Sequence, residues 1–219
     1  EDAHLIRVGN RQIIPTIEKN DHDTLWDLAS VSKVVSTTTC ILKLMEEGLV
    51  HLKTKICDIL PEFERKEITI RHCITHTSGM CADIEGYKQM SREELCEAIY
   101  HMPYAYEIGT KVVYSDINFI LLGWVVAKLK GSLDAYAKEA VFDPLGMSHT
   151  CYQPSADKYS VCAAYEDIPA RGGIIRGVVH DGKAHLFGGV SGHAGVFSTI
   201  EDLTRFVQML LNDGMCDGK

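Results

Sequence analysis

Leu25-Trp26-Asp27-Leu28-Ala29-Ser30-Val31-Ser32-Lys33 is the stretch on which the reading of this chain turns. It runs into an apolar segment that predicts a helix from about Ser32 to Glu47, stopped at Gly48. Ser30 precedes Lys33 by one helical turn, so hydroxyl and amine lie on the same face and can meet. A lysine amine that takes the serine proton makes the hydroxyl a nucleophile for acyl transfer without a histidine. The positive potential of a helix start stabilises an oxyanion and disfavours the ammonium form of Lys33, and burial acts in the same direction. The plain alternative is that Ser30 or Ser32 only caps the helix. Against it, Val34, Val35, Ile41, Leu42 and Met45 form one broad apolar face, and Cys40 and Leu44 carry apolar character to the other side. That pattern predicts a central, buried helix, in whose first turn a lysine needs a reason. Ser155-Ala156-Asp157-Lys158 repeats the spacing, but beside Gln153 and Pro154 it reads as a surface turn with a solvated, charged lysine.

Outward from this stretch, the opening from Ala3 to Ile17 reads as two short strands turned at Gly9-Asn10, with Pro15 at an edge or end. A polar loop follows from Glu18 to Thr24. Helical signals then dominate. Ser91-x-x-Glu94 is a capping box for a helix that must end before Pro103, and Asn118 to Lys130 is an apolar helix closed by Gly131. Ser198-x-x-Glu201 reads as a second capping box, for a helix with Leu203, Phe206, Val207, Leu210 and Leu211 on one stripe. Between them, 151–197 is rich in glycine and loop.

The 219 residues suffice for one domain with a sizeable core. A net charge of -8 and the lack of a basic stripe exclude a nucleic-acid partner from the reading. No apolar run is long enough to span a bilayer, so no membrane span is expected. Eight cysteines without a C-x-x-C pair read as free thiols, which points to a cytoplasmic location.

A tyrosine and an acid complete the constellation. In Lys111-Val112-Val113-Tyr114-Ser115-Asp116 an extended run leads to a helix start, where Tyr114 could relay a proton and Asp116 could hold Lys33 by a hydrogen bond. Alone, Tyr114 reads as a strand residue and Asp116 as an N-cap. Tyr165-Glu166-Asp167 is a similar run with no helix after it. His72-x-x-x-His76 has a spacing that could hold a metal on a helix, but lacks the glutamate that a zinc protease carries after the first histidine. Gly189-Val190-Ser191-Gly192-His193 fails the nucleophile-elbow pattern, so Ser191, His193 and Asp181 read as a structural loop or cleft wall rather than a triad.

Leu28-Ala29-Ser30-Val31-Ser32-Lys33, Ile74-Thr75-His76-Thr77-Ser78-Gly79, Tyr114-Ser115-Asp116 with Leu121-Leu122-Gly123, Phe142-Asp143-Pro144-Leu145-Gly146-Met147 and Gly195-Val196-Phe197-Ser198-Thr199 occur in that order. Together they resemble the serine β-lactamase-related family of class C β-lactamases, low-molecular-weight penicillin-binding proteins and related esterases, from about Leu25 to Gly214. The resemblance implies an α+β, β-lactamase/transpeptidase-like fold in which a helical subdomain packs on an antiparallel sheet. It implies Ser30 as the acylated nucleophile, Lys33 and Tyr114 sharing proton transfer, and Asp116 where the family often has asparagine. No metal or organic cofactor is implied. The substrate would be a small molecule or peptide carrying an ester, D-amino-acid amide or β-lactam carbonyl.

The resemblance also calls for a Lys or His, a small residue and Gly on a strand lining the site. The one match, His193-Ala194-Gly195, precedes a capped helix instead, which makes His193 and Gly195 the lesser candidates for substrate contact. The expectation is therefore a single domain, 1–219, in which 1–24 supplies N-terminal strands and 25–219 the helical subdomain and cleft loops. The C-terminal strands, and with them a second oxyanion donor, would be missing. Such a donor is worth about a hundredfold or more in rate. A complementing segment or self-association would have to complete the sheet; otherwise the chain is a non-catalytic fragment or binding module with exposed apolar surface.

Overall fold

The computed structural model describes residues 4–216. Strands β1 (Asn10–Gln12) and β2 (Glu18–Lys19) form an antiparallel ladder, and β3 (Trp26–Asp27) leads into the serine–lysine stretch. A tight turn, Ala29–Val31, is followed by a wider π-wound segment, Lys33–Thr38, and then by α1 (Thr39–Glu46). The helical body continues with α2 (Ile56–Ile59), α3 (Ile70–Ile74), α4 (Arg92–Tyr100), α5 (Asp116–Lys130) and α6 (Leu133–Ala137). Then come β4 (Cys151–Tyr152), the hairpin of β5 (Ala164–Ile168) and β6 (Gly173–Arg176), α7 (Gly182–Leu186), β7 (Val196–Ser198) and α8 (Ile200–Leu211). Strand β7 lies between β3 and β4 in a three-stranded antiparallel sheet.

The helix that is apolar all round is α5, not the one that follows Ser30. Ile117, Phe119, Ile120, Leu121, Leu122, Val125 and Val126 are all buried along it. The segment after Ser30 buries Lys33, Val35, Cys40, Ile41 and Leu44 on one side and leaves Val31, Val34 and Leu42 half exposed on the other. Its apolar residues therefore exceed what the described core can cover. The stripe on α8 behaves alike. Phe206 is buried and Leu203 packs against the core, whereas Val207, Leu210 and Leu211 face out.

Other expectations are shifted by a residue or by a partner. The first turn of chain lies between β1 and β2, at 13–17, rather than at Gly9-Asn10, because Asn10 already pairs with Lys19; Ala3 lies outside the described residues. This hairpin does not join the three-stranded sheet. Instead Arg176 of β6 clamps it, donating to Gln12 Oε1 at 2.9 Å and Glu18 Oε2 at 2.6 Å. The paired guanidinium groups of Arg176 and Arg11 hold the Glu18 carboxyl down at about 2 against the opposing pull of desolvation. The cap of α8 is Thr199, whose side chain accepts from Asp202 N, since Ser198 is the last inward residue of β7 and bonds Thr150 Oγ1 at 2.7 Å. The box at Ser91 and Glu94 forms as the sequence predicts.

One close approach fixes the glycine-rich loop on the helical body. A Cβ on Gly192 would lie 1.9 Å from Phe119 O, and a Cβ on Gly123 would lie 2.8 Å from the Gly192 backbone. Only paired glycines let the loop lie on α5, and Thr37 Oγ1 then donates to Gly192 O at 2.7 Å. Gly192→Ala is expected to destabilise the fold by about 1–3 kcal/mol, as overpacking against backbone does. The check is the urea midpoint; an unchanged midpoint would show that the loop is not seated on α5.

Candidate active site

Asp27, at the end of β3, sets the approach to Ser30. Its carboxylate accepts from Ala29 N and from His180 N, each at 2.8 Å. Burial of Asp27 pushes its pKa up, more than these two donors pull it down. Ala29 is held at φ +44°, a left-handed conformation costly for a residue with a Cβ, directly before the serine. Ser30 follows in the tight turn and is exposed. Ser32 caps nothing with its side chain; its hydroxyl accepts from Val196 N at 3.1 Å and ties the turn to β7. The π winding from Lys33 to Thr38 is an irregularity that occurs often at functional sites.

Lys33 is 2 % exposed, and its amine has three neighbours. Nζ lies 3.0 Å from Ser30 Oγ, 2.8 Å from Asp116 Oδ1 and 3.1 Å from His193 O. A carboxylate and a carbonyl can only accept. A neutral amine that keeps both of those bonds spends its two N–H groups on them. Its lone pair is then left for the serine. Geometry thus selects which bond would reverse were the amine to act as a base.

Asp116 reaches the amine because Ser115, not Asp116, occupies the N-cap position of α5. As the first helical residue it also gains from the positive end of the helix. Burial alone would raise its pKa; His193, Lys33 and Lys183 outweigh that and hold it below the ordinary carboxylate range. Tyr114, exposed at the opening, presents its ring to Lys33, with Nζ 4.8 Å from the ring centroid.

His76 supports this corner. Its ring lies 4.7 Å from that of Tyr114 and 5.2 Å from that of Phe119, and Nδ1 accepts from Ser115 N at 3.1 Å. That bond requires a neutral ring with its proton on Nε2. Burial, reinforced by the Lys33 charge, lowers the His76 pKa. His72 is elsewhere engaged, accepting from Thr69 N at 3.2 Å in the cap of α3, so the pair does not converge on a metal.

His193 and Gly195 lie behind the lysine. The His193 ring is 1 % exposed, with Nδ1 2.8 Å from Ser191 Oγ and Nε2 2.7 Å from Asp181 Oδ1. Its link to Lys33 runs through the backbone carbonyl, not the ring. Gly195, at φ +118°, turns the chain into β7 where a Cβ would lie 2.5 Å from Gly189 O. Ser191, His193 and Asp181 do make a serine-histidine-aspartate line, but Ser191 and His193 are both buried. Asp116, Asp181 and His193 are close enough to share a cation. At Asp116 that place is already taken by the amines of Lys33 and Lys183.

The second of those groups is Lys183, which sequence reasoning missed. It is buried on α7, and Nζ lies 2.9 Å from Asp83 Oδ1 and 3.2 Å from Asp116 Oδ2. Its position inside a glycine-rich stretch gave no periodic signal. The decoy motifs fall away: Ser155 is exposed at the start of a short turn, and Tyr165 lies on β5 with its hydroxyl donating to Asp27 O at 2.8 Å.

The family model described as Beta-lactamase matches residues 5–216. A protein of Escherichia coli K12 named "Putative D-alanyl-D-alanine carboxypeptidase" is 34% identical, over 87% of this chain and 51% of its own length. The N-acetylmuramyl-L-alanine amidase of Bacillus subtilis 168 is 33% identical over the same shares. The chain thus spans about half the length of the curated relatives it matches. The crystal structure of D-alanine carboxypeptidase AmpC from Burkholderia cenocepacia superimposes with a TM-score of 0.73 at 27% identity, covering 92% of this chain and 53% of that one. A class C beta-lactamase shares the fold, with a TM-score of 0.74 at 22% identity over 95% of this chain and 55% of that one.

The His76 geometry makes a prediction with a definite sign. The fold resists protonating His76, whereas the unfolded chain takes up that proton near 6.5. Stability is therefore full above that value and falls as pH drops below it. His76 lies at φ +55°, a left-handed conformation that asparagine tolerates, and His76→Asn is expected to flatten the slope of stability between about pH 7 and 5. Urea denaturation across that range checks it, and a slope equal to the parent's would place the ring outside the folded network.

Proposed function

Because the chain belongs to the beta-lactamase family, we propose that it is a serine hydrolase that works through an acyl-enzyme on Ser30. The observation that carries this reading is the buried Lys33 amine, 3.0 Å from Ser30 Oγ and bound on its other sides by two groups that only accept. The amine takes the hydroxyl proton as Oγ bonds to the substrate carbonyl carbon. The Ser30 N–H stabilises the oxyanion, which is half of an oxyanion hole. On collapse of the tetrahedral intermediate, Lys33 returns the proton to the leaving oxygen or nitrogen, with Tyr114 at the opening as the relay. Water then attacks the Ser30 ester, Lys33 taking its proton, and the acid leaves as Oγ is reprotonated.

Three carbonyl classes fit: a small ester, a D-amino-acid peptide and a β-lactam. The carboxypeptidase names among the relatives support the peptide. Asp116 in place of the family's frequent asparagine supports a peptidase or esterase over a dedicated β-lactamase. The exposed apolar residues Val31, Val34, Val207, Leu210 and Leu211 support a complementing segment that packs on them and supplies the rest of the cleft. His193 and Gly195 then belong to the wall behind Lys33. Eight free thiols support a reducing, cytoplasmic setting.

Intact mass spectrometry after exposure to an activated small ester tests the reading. The parent is expected to gain one acyl group, and Ser30→Ala is expected to gain none. No gain in the parent would favour the opposite reading, a non-catalytic fragment or binding module of the same fold.

A further inference from the structure

Lys33 is not alone on its carboxylate. Asp116 offers Oδ1 to Lys33 Nζ at 2.8 Å and Oδ2 to Lys183 Nζ at 3.2 Å. Lys183 in turn reaches Asp83 at 2.9 Å, so cation and anion alternate along Lys33, Asp116, Lys183 and Asp83. Four separate parts of the chain meet there: the wide segment that carries Lys33, α5, α7 and the loop after Gly79. The Tyr87 ring closes the other side, its centroid 4.6 Å from Lys183 Nζ. Asp181, the cap of α7, faces the cluster from below and is itself bound to His193.

We propose that Lys183 is a positioning residue for proton transfer at Ser30: as a fixed cation on the far oxygen of Asp116, it weakens that carboxylate's hold on the Lys33 proton and keeps the amine able to act as a base. The inference rests on the acyl-enzyme reading of Ser30. A carboxylate with one lysine for a partner favours the ammonium form of that lysine, which is the wrong form for a base. A second cation on the same carboxylate reverses part of this effect. It shares the negative charge and places a like charge one carboxyl group away from Lys33. Lys183 is suited to the role because it stays charged. Burial lowers its pKa, but Asp83, Asp181 and Asp116 together raise it above the ordinary lysine value. The groups that face Lys33 otherwise are Ser30, the His193 carbonyl, and the rings of Tyr114, His76 and Phe119; the His193 ring also bears on Asp116 but is bound to Asp181, so Lys183 is the second lysine in contact with that carboxylate.

The test is the pH profile of Ser30 acylation by an activated ester in the parent, Lys183→Met and Lys183→Arg. Loss of the cation is expected to move the acid limb of the profile to higher pH by about one unit, while rates on the alkaline plateau stay close to the parent's. Lys183→Arg, which keeps the charge, is expected to hold the limb near its original place. A Lys183→Met profile that is lower at every pH but unmoved would show a merely structural role and overturn the inference. Nuclear magnetic resonance of the Asp116 carboxyl carbon gives a readout that needs no chemistry at Ser30. Its titration midpoint is expected to rise in Lys183→Met, and an unchanged midpoint would overturn the inference. If Ser30→Ala acylates as the parent does, the reading of Ser30 fails on its own, and the carboxyl titration still decides whether Lys183 loads Asp116.

Discussion

Two acceptors, the ionised Asp116 carboxylate and the His193 carbonyl, flank a single buried amine and orient its N–H groups. The buried α5 and the glycine-rich loop seated on it bring those two to Lys33. Asp116 arrives on the first turn of the most deeply buried helix, α5, where its placement is fixed by a large apolar surface. His193 O arrives because Gly192 packs backbone to backbone against Gly123 on the same helix. The lysine comes from a segment wound too wide for an ordinary helix. That winding and the strained Ala29 store local cost beside Ser30, which the surrounding bonds from Asp27, Ser32 and Tyr152 to fixed partners sustain.

The same economy explains why the carboxylate at 116 is compatible with base chemistry. A carboxylate beside Lys33 would tend to fix the ammonium form. In this structure that carboxylate is divided between two lysines and lies within a chain of alternating charges. The two lysines are buried and each is met by a carboxylate, with Asp83 at the exposed end of the chain of charges; paired in this way, buried ions persist. The His76 ring, kept neutral by burial, adds orientation without adding charge.

Much of this was legible in the sequence, and the reasons for the rest are physical. The serine–lysine spacing, the Tyr114-Ser115-Asp116 run and the cap at Ser91 are local signals, and local geometry expresses them directly. The cap of α8 lies one residue beyond the one the sequence pattern points to, because a strand of three residues, Val196–Ser198, claims Ser198 first; a strand so short leaves little periodicity to read. The helix after Ser30 is less buried than its apolar content predicts, since apolar content shows what a face can bury against but not whether a partner is there. Lys183 was invisible for a different reason. It meets Asp83 and Asp116 from far along the chain, and a long-range ion cluster leaves no pattern in one sequence.

In the proposed mechanism Lys33 acts as a base rather than as a structural cation. Lys33→Arg separates the two roles, because a guanidinium keeps the charge and can satisfy acceptors but does not give up its proton. The measurement is the rate of Ser30 acylation in this variant, read by intact mass against time. A fall of about a hundredfold or more with the urea midpoint retained is the predicted result, as expected for loss of a general base. Acylation at the parent's rate would contradict the account, because the amine between Asp116, His193 and Ser30 would then only be holding the fold together.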